Sequence, residues 1–144
     1  MVAKLRQRMA SDESGFTLVE LLVVMLILGL LAAIAIPSFF NQRDKARDAD
    51  AKATARTAQT SIETYATDNN GSYAGATAAG LKTIESSLPA TGIAVTAAAT
   101  TYTVDVTSKT GSHFLIARAA DGTTSQTCTP VNTGGCPSNG KWAN

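Results

Sequence analysis

The sequence predicts an α+β chain: a long N-terminal helix, membrane-spanning in its first half and amphipathic in its second, packed on a small antiparallel β-sheet. Three observations carry this. Residues 16–36 are nearly all apolar. The helical pattern continues past them, without a glycine or a further proline between Pro37 and Gly71. Beyond residue 100 the pattern changes to short alternating runs separated by turn residues.

The apolar run comes first. From Phe16 to Ile36 its only clearly polar members are Thr17 and Glu20. As a helix it covers ~31 Å, the thickness of a bilayer core. A short polar stretch precedes it, with Lys4, Arg6 and Arg8 followed by Asp12 and Glu13. An ordinary secretory signal has a shorter apolar core of roughly 7–15 residues and closes on a small-residue site. Here the nearest such site, Ala33–Ala35, runs into Ile36, Pro37 and two phenylalanines. Charge does not set the orientation, because Lys4, Arg6 and Arg8 before the span face Arg43, Lys45, Arg47 and Lys52 after it. Glu20 is the unusual residue, since an ionised acid is costly in hydrocarbon. It has two ways to be satisfied: its own helix N-terminus, which favours an anion, or a cation from outside the chain.

After Pro37 the helix becomes amphipathic. Ala55, Ala58, Ile62 and Tyr65 form an apolar stripe on one face. Asp44 and Arg47, and Asp48 and Lys52, have the spacing of pairs on a helix surface. Asp68-Asn69-Asn70-Gly71 is a stop signal near Thr67. Gly29 and Pro37 are its weak points. Pro37 lacks an N–H and its ring crowds the carbonyl of Ala33, which gives either a kink or a section that unwinds on packing.

The remaining elements are shorter. Leu81, Ile84 and Leu88 suggest a short helix ended by Pro89. Three strands follow in "TYTVDVT", "SHFLIAR" and "TSQTC", joined by the turns "SKTG" and "ADGT". Tyr102, Val104 and Val106 share the face that would pack on the helix stripe. Cys128 and Cys136 flank "TPVNTGG", a loop by composition. Downstream of a membrane segment, they are expected to form a disulfide outside the cytoplasm. The alternatives are free thiols or half of a zinc site, for which His113 is the only histidine and stands in a strand-like run.

Composition excludes more than it assigns. Twelve basic and 11 acidic residues give a net charge of +1, which implies no polyelectrolyte partner. DNA is not expected as a direct ligand, because the basic residues after Lys52 are scattered. No nucleophile–base set, phosphate loop or metal cluster stands out, so no enzymatic activity, cofactor or metal is expected.

"GFTLVE", Gly15 to Glu20, after a short basic leader and before an unbroken apolar run, resembles the type IV prepilin signature. The likeness is specific over residues 1 to about 65 and extends to the rest in layout. It implies the pilin fold, with a cleaved leader at 1–15, a transmembrane and assembly helix at 16–40, and a head at 41–144. It implies cleavage between Gly15 and Phe16 by a prepilin peptidase that also methylates the new Phe16 amine. The leader would then face the cytoplasm, in a single-pass inner-membrane precursor that later joins an extracellular filament. Glu20 would pair with the Phe16 ammonium of a neighbouring subunit, and Gly29 and Pro37 would mark the helix section that melts on packing. The expected partners are copies of the chain, the peptidase and an inner-membrane assembly platform, in the service of adhesion, motility or DNA uptake. Three alternatives stand beside a pilus subunit: a pseudopilin of a type II secretion system, a minor or competence pilin, and a membrane-anchored domain of unrelated fold. The absence of any acid after Asp121 argues against the calcium loop of the major pseudopilin.

Overall fold

A computed structural model describes residues 15–143. Most of the expected leader therefore lies outside the described residues. Helix α1 covers Leu18–Asp68 and is followed by α2 (Ala78–Ile84). Strands β1 (Ile93–Ala97), β2 (Tyr102–Thr107), β3 (His113–Arg118) and β4 (Thr124–Thr129) complete the chain. It divides into two compact units, with the boundary between Phe39 and Phe40.

In the first unit α1 is long and apolar enough to cross a membrane. Before Phe40 it buries nothing: Leu18, Met25 and Ile34 are 74%, 70% and 77% exposed. Both Gly29 and Pro37 lie within the helix. A Cβ on Gly29 would meet nothing within 4 Å, so packing among the described residues does not require glycine there.

The second unit is an α1–sheet sandwich. The sheet is an antiparallel meander in the order β1-β2-β3-β4. Its registers, such as Val104 against Ile116 and Phe114 against Cys128, bring the apolar residues to one face. Tyr102, Val104, Val106, Phe114, Ile116 and Cys128 are buried there with Ala51, Ala55, Ala58, Ile62 and Ala66 of α1. The helix supplies mainly alanines and the sheet the bulk, which lets the two backbones approach while Phe114 and Ile116 fill the space. Trp142 stacks edge-on to Phe114 at 6.1 Å and donates its indole N–H to the Leu115 carbonyl at 3.3 Å. The C-terminal segment also covers the outer edge of β4: Cys128 N–H donates to Gly140 O and Trp142 N–H to Gln126 O.

The α1 stop falls at Asp68, with Asn70 and Gly71 at positive φ, as the Asp-Asn-Asn-Gly signal requires. Three local expectations need correction. The short helix ends at Ile84, not at Pro89. Glu85 is extended and closes the helix by donating its N–H to Leu81 O, and two serines follow, which favour turns over helix. Leu88 is buried from the turn beyond, where Lys82 Nζ reaches its carbonyl. The sheet has a fourth strand, β1, whose Ala-rich alternation between Gly92 and Ala98 is a weak signal. The surface pair between Asp48 and Lys52 does not form. Asp48 is fully buried and is held by Ser108, Thr110 and Gly135, while Lys52 donates to Gly135 O. Asp44 and Arg47 do pair, at 3.7 Å and partly in solvent.

Glu63 organises the other end of the core. Its carboxylate accepts from Tyr73 at 2.7 Å and from Tyr102 at 2.9 Å, with Arg118 at 3.5 Å. Burial, then the hydrogen bond to Glu63, pushes the Tyr102 phenol well above its ordinary range.

Candidate functional site

The residues singled out at the start of the apolar run come together in one turn. Gly15, Phe16 and Thr17 precede the helix, and α1 begins at Leu18. Thr17 Oγ1 accepts from the Glu20 N–H at 3.2 Å. Glu20 Oε2 accepts in return from the Thr17 N–H at 3.3 Å and from its hydroxyl at 3.2 Å. This is a reciprocal capping box, which satisfies two helix-start donors and places an anion at the positive end of the helix dipole. Of the two ways to satisfy Glu20, the single chain adopts the internal one.

Thr17 is the capping residue of this turn, and the sequence alone did not single it out. The signal was present: Thr-x-x-Glu ahead of an apolar run is a capping-box spacing. The cap does not use up the carboxylate. Only Oε2 accepts in it, and the site is exposed. Phe16 is 80% exposed beside it, and a Cβ on Gly15 would meet nothing within 4 Å among the described residues. The turn is thus satisfied internally and free of packing constraints among the described residues.

At the other end of the sequence Cys128 and Cys136 form a disulfide with a Cα–Cα distance of 5.7 Å, across a separation of eight residues. The loop between them is exposed up to Gly134, and Val131 is 50% exposed. His113 is a strand residue whose Nδ1 lies 3.0 Å from Asp105 across the β2–β3 pair. Among the described residues no three His, Cys, Asp or Glu side chains are grouped as a metal site.

Residues 10–36 match a family model described as the prokaryotic N-terminal methylation motif. The chain is 35% identical over 119 residues to the type IV wide pilus major component of Thermus thermophilus, covering 83% of each chain. The chain belongs to the type IV pilin and pseudopilin family. Other members match over shorter stretches. The type II secretion system core protein G of Pseudomonas aeruginosa is 39% identical over 58 residues, 40% of this chain and 41% of its own. A competence protein of Halalkalibacterium halodurans is 34% identical over 58 residues, 40% of this chain and 57% of its own. These last two matches span about half or less of the relatives' length. No solved structure matches. Family membership gives the exposed capped turn a context: the match to the methylation motif, over residues 10–36, runs through Gly15, Phe16 and Glu20.

Proposed function

We propose that this chain is a structural subunit of a type IV pilus. The reading rests chiefly on the likeness to a major pilus component along 83% of both chains, head included. In this reading a prepilin peptidase cuts between Gly15 and Phe16 on the cytoplasmic side and methylates the Phe16 amine. The mature segment 16–40 anchors the subunit in the inner membrane with its N-terminus inside, and 41–144 forms the head outside. An assembly platform then moves the subunit into a filament, where the exposed apolar residues of α1 find their burial against other copies.

Glu20 changes partners in that step. In the single chain it caps its helix through Oε2. In a filament the same carboxylate takes the Phe16 ammonium of a neighbour, a pair that forms at one stagger only and so fixes axial register. An unpaired charge in such a core is costly, which gives the pairing its force. Gly29 and Pro37 mark the section of α1 that gives way as helices pack, because one weakens the helix and the other lacks a donor.

Mass spectrometry and immunolabelled electron microscopy of sheared surface material test the reading together. The expected result is labelled filaments whose subunit starts at a methylated Phe16. Label confined to the cell envelope, with the same processed start, would instead assign the chain to a secretion piston. A mature start near Ser38 would refute the pilin processing route.

A further inference from the structure

Asp48 is the only fully buried carboxylate among the described residues. Its Oδ1 accepts from Ser108 Oγ and Thr110 Oγ1, both at 2.6 Å, in the β2–β3 turn. Its Oδ2 accepts from the Gly135 N–H at 2.7 Å. One helical turn later Lys52 Nζ donates to Gly135 O at 2.6 Å and lies 5.3 Å from the centre of the Phe114 ring. Acid and base on one face of α1 therefore hold both backbone polar groups of Gly135, the residue before Cys136.

The approach is too close for side chains. A Cβ on Gly134 would collide with the Asp48 carboxylate. On Gly135 it would lie 2.8 Å from Asp48 Cβ and 3.4 Å from Lys52 Nζ. The two glycines of the loop are thus explained by the helix beneath them and not by the loop's own turn alone.

We propose that Asp48 and Lys52 form a latch for the Cys128–Cys136 loop, so that the head gains its acid tolerance only when that loop is closed and Gly135 is seated. Closing the loop confines Gly135 near the helix, which raises its effective concentration at the latch. Seating it in turn completes the donors around a carboxylate that cannot reach water. Loop closure and carboxylate charge are then linked, and each favours the other.

The sign of the pH effect follows from the groups around Asp48. Burial pushes its carboxyl up, but the Ser108 and Thr110 hydroxyls, the Gly135 N–H and the Lys52 charge together outweigh burial and hold it below the usual aspartate range. Lys52 is the charge that acts on it; Lys109 in the turn is exposed, and residues 129–135 carry no ionisable side chain. A depressed folded value contributes stability above the unfolded value, and that stability is lost as pH falls through the folded value. On this proposal, the loss of the Gly135 donor when the loop opens outweighs the loss of the loop's own cover over Asp48. The folded value rises, and the acid loss begins at higher pH.

The test follows the Asp48 carboxyl by carbon NMR through an acid titration of the full chain in detergent micelles, with hydrogen exchange at the Gly135 amide. The oxidised chain is compared with the Cys128→Ser/Cys136→Ser variant. The variant should titrate at higher pH than the oxidised chain, and its Gly135 amide should exchange faster. An Asp48 titration that is the same in both would overturn the latch. Should the double variant not fold, the unsubstituted chain with its disulfide reduced in place must show the same rise, and an unchanged titration there would overturn it equally.

Discussion

The two units handle a carboxylate on the same helix in opposite ways. Glu20 is exposed and is satisfied within one turn, by Thr17 three residues away. Asp48 is fully buried and is satisfied by residues 60 to 87 positions away. The surrounding side chains follow the same division. The large apolar residues of the helix before Phe40 are exposed, whereas the residues the helix buries after it are mainly alanines. A region whose groups are satisfied locally while its apolar surface is left open is built to meet something outside itself. A region whose groups are satisfied at long range carries its own fold.

The sharpest way to break that contrast is at Glu20. Membrane insertion does not need the acid and is slightly easier without it. In the proposed processing route cleavage depends on Gly15, five residues away. Glu20→Ala should therefore leave a processed, membrane-resident subunit and abolish filaments, and Glu20→Gln, which keeps shape without charge, should also assemble poorly. Normal numbers of full-length filaments by electron microscopy would reduce Glu20 to a helix cap.

Truncating large apolar residues separates the units by magnitude. Phe114→Ala removes a fully buried ring and should lower the unfolding free energy of the head by about 3–5 kcal/mol. Leu26→Ala, at a position 64% exposed, should leave head unfolding unchanged and show its effect only in the filament. Denaturant melts of the detergent-solubilised chain, read by Trp142 fluorescence, check both halves of this expectation.

The disulfide comes next. Replacing either cysteine opens a loop of eight residues' separation, worth about 2–3 kcal/mol on the chain-entropy view. Alkylation without reductant should find no free thiol in exported protein, and a melt of the serine variant should show the loss.

How much of this could be read in advance depends on the range of each interaction. The apolar run, the helix stop at Asp68 and the alternation of Tyr102, Val104 and Val106 are written in neighbouring residues, and all were legible. The disulfide was legible from the membrane segment upstream of it. The capping box was equally local, but the oddity of an acid in an apolar run drew the reading toward partners outside the chain and away from Thr17. Strand β1 has only five residues, two of them exposed, at a sheet edge, so its period is too short to stand out. The role of Asp48 could not be found locally at all. Its i,i+4 spacing to Lys52 pointed to a surface pair, and only the folded chain brings Gly135 between them.

The smallest expected effect makes that last point testable. Asp44 and Asp48 sit four residues apart in one mixed-charge stretch, and both have a basic residue at helix-neighbour spacing. Asp44 is 44% exposed on its side chain and faces Arg47 at 3.7 Å, a distance that water and salt screen readily. An exposed pair of this kind contributes roughly 0–1 kcal/mol. Asp44→Ala should therefore shift head unfolding by no more than about 0.5 kcal/mol, and raising the salt concentration should erase even that. Asp48→Ala leaves two hydroxyls and an amide facing an empty buried site, so its cost should be several times larger and insensitive to salt. Equal melting shifts for the two variants would mean that the buried network contributes no more than a surface pair, and the contrast between locally and distantly satisfied acids would lose its energetic basis.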